Sequence, residues 1–376
     1  MNVADKAIIA AWKADVLDLS NIKQYSDGED ITWRGTPYLA GMVAMAEATG
    51  DTDSADAFCA AWEHLQSIAS EDIDGLYGWP TSKGSYGRNG RRCIPMDDAI
   101  ITEKVARFVR VVRADPTLRA AYGERAESYL KWVEEKIWPK WADSWLELSG
   151  TIESTRRIDS NYTPVKIELK EPCGVYRFYN PGKKPGMSLP LNQFLHVAMC
   201  YLELYDVTGR DAYLDKATKM GWAAKQIYLV PVEDRWSHWN YWQPVWPGDY
   251  NRPNDPAHWV GPHPNRPGYA SGEVSMMSRL HKRGLVFTDE DMQRFVRRLL
   301  DVMWNKNLDS PEFQFTMIGR DDPYPGTLWG SLDYLGETIA KMTAPGKTRQ
   351  ALDRMSSWHR INGVPAYFLR QKGASE

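Results

Sequence analysis

The sequence predicts an all-α fold: helical hairpins closed into an (α/α)6 or (α/α)7 toroid, with long cleft-forming loops and little β-structure. Three observations carry this prediction. Apolar residues recur at helical spacing in several segments, a helix–turn–helix pattern repeats weakly along the chain, and alternating strand patterns are few. No stretch reads as a linker, so residues 1–376 are expected to form one domain.

The elements follow in order. From Gly41, GMVAMAEATGDTDSADAFCAAWEHLQS reads as helix, Thr-Gly with an acidic turn, then helix. From Val197, VAMCYLELYDVTGRDAYLDKATKMGWAAKQ repeats that order. Residues 105–135, broken at Asp115-Pro116, give a third hairpin. Val105, Phe108, Val109 and Val112 fall at i, i+3, i+4, i+7, as do Leu195, Ala198, Met199 and Leu202. Met292, Phe295, Val296 and Leu299 do the same after a capping start at Thr288-Asp289-Glu290-Asp291. Residues 151–178 are the main candidate for a short hairpin or long loop. A helical hairpin that buries one face must stack on its neighbours. Closing the stack into a ring gives the toroid and brings the loops at one end around a central cleft.

The chain of 376 residues is 43% hydrophobic and 25% charged, with net charge −3 and pI near 6.2. That balance points away from a nucleic-acid or anionic-membrane partner. No run approaches the roughly 18 apolar residues of a membrane span. The start, MNVADKAIIAAWKADV, lacks a basic region followed by an apolar one. A soluble chain is expected, either cytoplasmic or trimmed from a secreted or periplasmic form. Cys59, Cys93, Cys173 and Cys200 are scattered and read as buried free thiols. The sequence holds no signal for oligomeric state.

The unusual feature is aromatic content: 17 Trp and 19 Tyr. The stretch from His238 to Tyr269 alone holds four tryptophans, three tyrosines, three histidines and seven prolines. Proline at that density excludes regular structure. Such rings either fill a core or form stacking platforms for a ring-shaped ligand.

Four polar clusters could carry chemistry. Tyr86-Gly87-Arg88-Asn89-Gly90-Arg91-Arg92 precedes Asp97-Asp98; its glycines allow close backbone approach, and its arginines can grip carboxylates. Asn192 and Gln193 open a helix, as caps or as amides facing a substrate carboxyl group. The aromatic stretch supplies His238, Trp239, Tyr241, Trp242, His258, His263, Arg266 and Tyr269, followed by Glu273. Ile318–Trp329 combines Arg320, Asp321, Asp322 and Tyr324 in a Gly/Pro-rich loop. His258 and His263, five apart in a proline-broken loop, make no metal site, and no cofactor is expected. Together the clusters suit β-elimination from an anionic sugar. That reaction needs the carboxylate neutralised, the C5 proton removed and the departing oxygen protonated.

PLNQFLHVAMCYLELYDVTGRDAYLDKA (Pro190–Ala217), HWNYW, GEVS (Gly272–Ser275), GLVFTDEDMQRFVRRLLDVMW (Gly284–Trp304) and IGRDDPYPGTLW resemble bacterial (α/α)-toroid polysaccharide lyases acting on alginate- or glucuronan-type polyuronates. The similarity covers the C-terminal half; the N-terminal part matches only as helical hairpins. The resemblance implies that Asn192 and Arg320 hold the substrate carboxylate and that Tyr324 is the catalytic acid/base. Where relatives carry acidic-x-Ser-His, this chain has Glu273-Val274-Ser275-Met276, and methionine cannot transfer a proton. His238 then becomes the leading catalytic histidine, with His258 and His263 as other choices. Trp239, Tyr241 and Trp242 would stack on sugars. Arg88 and Arg92 would contact further acidic units of a poly- or oligosaccharide, with His258, His263, Arg266, Tyr269 and Glu273 lining the substrate.

Two other classes remain open. An inverting glycoside hydrolase would need paired carboxylic acids, with Asp97 or Asp98, Glu273, and Asp321 or Asp322 as candidates. A carbohydrate-binding relative without catalysis would explain Met276.

Overall fold

The computed structural model describes residues 3–73, 75–82, 92–157, 162–178, 186–237, 239–262, 264–266, 268–317, 324–343 and 357–373. They fall into two compact units. One is Met1–Ala142 with Glu203–Gly209 and Ala344–Glu376, and the other is Asp143–Leu202 with Arg210–Thr343. Helices predominate, and among the described residues the sheets are four two-stranded hairpins with none closed. The expected all-α class, built from helical hairpins, is what the chain forms.

In the first unit, helices Thr36–Thr49 and Thr52–Ile68 meet at Gly50, whose φ of 69° favours glycine. Asp51 then caps the second helix, accepting from the Ser54 amide at 2.9 Å. Pro95–Ala114 and Pro116–Lys136 meet at Asp115, which accepts from the Thr117 and Leu118 amides at 2.8 and 3.0 Å. Pro116 sits in the first turn, where its missing N–H matters least. The two hairpins share a core in which Phe58 stacks on Phe108 at 4.3 Å and Trp62 meets Trp79 at 5.8 Å. The indole N–H of Trp12 donates to Ile361 O at 2.9 Å, tying the C-terminal helix Ser357–Gly373 to Val3–Val16. Gly41 makes room for this approach, since a Cβ there would lie 2.7 Å from Ile361 O.

In the second unit, helix Asp211–Ala223 packs on a long antiparallel hairpin, Trp145–Arg157 with Tyr162–Tyr176. Ile152 opposes Ile167, and Ser154 opposes Val165. The hairpin starts earlier than the expected residue 151. A register shift between Leu148 and Gly150, with Gly150 at φ 71°, breaks the in-out alternation that marks a strand. Helix Asp289–Arg297 begins with a full capping box between Thr288 and Asp291. The three periodic apolar sets are all buried, each on its predicted helix or, for Leu299, on the π-turn that extends one. Helix Leu191–Thr208 carries Asn192 and Gln193 in its first turn.

Three π-helical turns occur among the described residues: Ile31–Gly35, Ala224–Tyr228 and Arg298–Met303. The four cysteines are free and buried. Burial pushes the Cys59 thiol up to about 11 and Cys173 up to about 12, and raises Cys93 as well. No helix of the described residues is long and apolar enough to cross a membrane.

Candidate functional site

Two polar centres stand out, one in each unit. The first is the Asp97-Asp98 pair in the opening turn of Pro95–Ala114, where the helix dipole favours negative charge. Both side chains are 0% exposed. Their surroundings differ. Asp98 Oδ2 accepts from Lys140 Nζ at 2.8 Å and from the Trp141 indole at 2.9 Å. Lys140 is itself buried and also donates to Tyr77 O at 2.5 Å. Gly78 permits this arrangement, because a Cβ there would lie 2.2 Å from Lys140 Nζ and 3.0 Å from Asp98 Oδ1. Neither Asp97 oxygen makes a hydrogen bond of good geometry, and the Thr32 hydroxyl is the neutral group that faces its carboxyl. Thr32 belongs to the π-turn Ile31–Gly35, an irregularity often found at functional sites.

Burial raises the pKa of both carboxyls, but by different routes. For Asp97 it is opposed by the Thr32 hydroxyl but reinforced by the charges of Asp98, Glu29 and Asp27, and it lifts the group well above the ordinary carboxylate range. For Asp98 the upward push of burial is opposed by the Lys140 charge and the hydrogen bonds from Lys140 and Trp141. The pair therefore combines a carboxyl raised by burial and like charge with one whose rise is opposed by a fixed cation.

The second centre lies at the start of helix Leu191–Thr208. Asn192 is 3% exposed; its Nδ2 donates to Gly268 O at 3.3 Å, and its Oδ1 has no partner. Gln193 Nε2 reaches the Tyr241 hydroxyl at 3.5 Å. The Tyr241 ring lies 6.1 Å from His258 and 6.3 Å from Tyr269. Burial lowers the His258 pKa, favouring neutral imidazole, and its Nδ1 accepts from the Trp259 amide at 2.6 Å. Arg266 sits over the Phe315 ring at 4.9 Å, and Tyr324 approaches the same ring at 5.7 Å. The structure thus groups Asn192, Tyr241, His258 and Tyr269, and separately links Arg266 to Tyr324 through Phe315. Tyr324 is 61% exposed.

Other expected site residues are placed differently. Trp239 and Trp242 are 1% and 0% exposed. Trp239 packs on Phe295 and Trp329 and donates to Glu273, while Trp242 donates to Ser188 O at 2.9 Å. Both indoles, expected to stack on sugars, are thus buried in the structure, with Trp242 5.6 Å from the His258 ring. Glu273 is likewise fully buried and accepts from the Trp239 indole. Arg92 pairs its backbone with Thr81 in the first unit. Arg88, His238, His263, Arg320, Asp321 and Asp322 lie outside the described residues. Among the described residues no cluster of His, Cys, Asp and Glu is arranged to hold a metal.

Sequence reasoning missed Lys140 and Trp141, whose Trp-Pro-Lys-Trp context looks like ordinary core. It also missed Trp259, which is 46% exposed. That indole lies against Gly261, where a Cβ would come 2.1 Å from a ring atom. The Trp-Val-Gly spacing was the available signal.

No protein-family model and no curated protein matches the chain. Among solved structures it is similar to a family 76 glycoside hydrolase from a bovine Bacteroides thetaiotaomicron strain. That match has 12% identity and TM-score 0.49, covering 92% of this chain and 69% of the other. It is also similar to a family 76 glycoside hydrolase (mannosidase) from Bacteroides thetaiotaomicron VPI-5482. Here identity is 13% and TM-score 0.48, covering 91% and 88%. A likeness at this level leaves the chemistry of this chain to be argued from its own residues.

Proposed function

We propose that the chain is a glycoside hydrolase acting on a poly- or oligosaccharide, with Asp97 and Asp98 as its acid–base pair. The supporting observation is the contrast between these adjacent carboxyls: Asp97 faces the neutral Thr32 hydroxyl, while one oxygen of Asp98 is held by Lys140 and Trp141. Asp97 donates its proton to the glycosidic oxygen as the C–O bond breaks. Asp98, beside the Lys140 cation, takes a proton from the water that attacks the anomeric carbon, restoring the proton count. Full burial means that side chains over the pair must move for a sugar to reach it. If they never do, the pair is a structural ion-pair network, and its variants will lose stability without a specific loss of activity.

β-Elimination on a polyuronate is the second reading. It is favoured by the unpartnered Asn192 Oδ1 next in sequence to Gln193, which reaches the Tyr241, His258 and Tyr269 cluster. That centre offers neutral hydrogen-bonding groups and phenols, the set needed to bind a carboxyl group and move a proton.

One experiment separates the two. The protein is incubated with neutral glycans and with polyuronates, and both reducing ends and ultraviolet absorbance are followed. Hydrolysis gives reducing ends alone, whereas elimination also gives absorbing unsaturated ends. Absorbing products that persist in Asp97→Asn would overturn the hydrolase proposal.

A further inference from the structure

The second unit contains a half-open cavity of about 1160 Å³ between the Trp145–Arg157/Tyr162–Tyr176 hairpin and the segment from Val245 to Asn254. Its lining includes none of Asp97, Asp98 and Asn192. The volume exceeds the roughly 300–1,000 Å³ usual for a drug-sized ligand, leaving room for several sugar units.

The walls have two chemistries. Ile152, Val165, Trp246 and Tyr250 give aliphatic and ring surface, while Thr151, Ser154 and Asn251 give neutral hydrogen-bonding groups. The charged groups in the lining sit beside opposite charges. Glu153 stands directly across the strands from Lys166, and Arg252 lies 3.4 Å from Asp255. Trp246 is fixed in place: Cβ atoms at Gly186 and Gly248 would fall 2.9 and 2.3 Å from its ring, and Arg177 lies 5.1 Å from the ring centre. Two polar atoms of lining residues, Ser154 Oγ and Trp246 Nε1, are buried without a hydrogen-bond partner, and Ser154 is only 2% exposed. Such orphaned groups are uncommon in folded proteins and call for a partner.

We infer that this groove binds a neutral oligosaccharide. A sugar chain presents apolar ring faces and uncharged hydroxyls in alternation, and the groove offers the complement of both. Paired charges along the wall give an acidic sugar no net attraction. The ligand class rests on the glycan-cleaving function proposed above; the site itself rests on the cavity and its walls.

The test uses the full chain and titration calorimetry with cellohexaose, mannohexaose and a hexauronate. Thr151→Trp adds an indole at an exposed groove position without disturbing the core, and Trp246→Ala removes the wall ring. Neutral hexasaccharide binding is expected to weaken at least tenfold in both. Parental binding by Thr151→Trp overturns the groove even if Trp246→Ala folds poorly. Tighter binding of the hexauronate overturns its neutrality. If the parent cleaves glycans but its binding is indifferent to both variants, the groove alone fails. If the parent neither binds nor cleaves any glycan, the hydrolase proposal fails and the groove's ligand class with it.

Discussion

The two polar centres are built on opposite principles. In the first unit, Asp97, Asp98 and Lys140 place ionisable groups where water is excluded, so their protonation is set by their neighbours. In the second, Asn192, Tyr241 and a His258 biased to its neutral form offer hydrogen bonds with little charge. The contrast teaches where acid–base chemistry can be driven at neutral pH. A protonated carboxyl beside an ion-paired one is already poised, whereas phenols and a neutral amide need the substrate's own charge to organise them.

The largest effect is expected from breaking the first centre. Asp97→Asn should lower glycan cleavage roughly 10²–10⁴-fold, the usual contribution of a general acid, while Asn192→Ala should change it by less than about threefold if its amide serves no step. Initial rates across pH sharpen this comparison. Asp97 acts only while protonated, and burial raises its pKa, so the parent's rate should fall as pH climbs through that raised value. That descending limb should vanish in the variant. The reverse ranking, with Asn192 dominant and Asp97 dispensable, would move catalysis to the second centre.

Next comes stability. Lys140→Met leaves Asp98 buried without its cation and should cost about 3–5 kcal/mol in urea unfolding. Asn192→Ala loses one long hydrogen bond and should cost about 1 kcal/mol. Equal costs would mean that the two centres are not electrostatically distinct.

A buried acid in the second unit tests whether charge matters there at all. Burial pushes Asp249 up to about 6, although it accepts hydrogen bonds from Ser188 and Val245. An acid whose folded pKa is raised stabilises the fold below its unfolded pKa near 4 and loses that contribution as pH rises to about 6. Parent stability should therefore fall by about 3 kcal/mol across that window from this group. The slope should flatten in Asp249→Asn, as read by melting at each pH. The smallest effect is local: Thr288→Ala removes the capping box and should cost about 1 kcal/mol.

How far the sequence reached follows from the range of each interaction. Thr-Gly-Asp turns, Asp115-Pro116 and the Thr288 box act within a few residues of themselves, so the hairpins were legible. The Asp97-Asp98 pair was visible as a pair, but its asymmetry comes from Lys140 and Trp141, far along the chain. The burial of Trp239 and Trp242 was not legible, because proline neighbours mark an irregular backbone and say nothing about which side of it faces water. Tyr241, His258 and Tyr269 are each visible in the sequence, yet only the folded segment brings them together beside Gln193. The groove was invisible, since it depends on a bulged hairpin meeting a loop nearly a hundred residues later.

The thiols carry a practical consequence. Sulfur attacks or oxidises as its anion, and groups held near 11 or 12 are almost never in that form at neutral pH. Sealed from solvent as well, they should ignore peroxide, alkylating reagents and air. Purified material should thus behave alike with and without reductant, and any maleimide labelling at pH 7 would report unfolding.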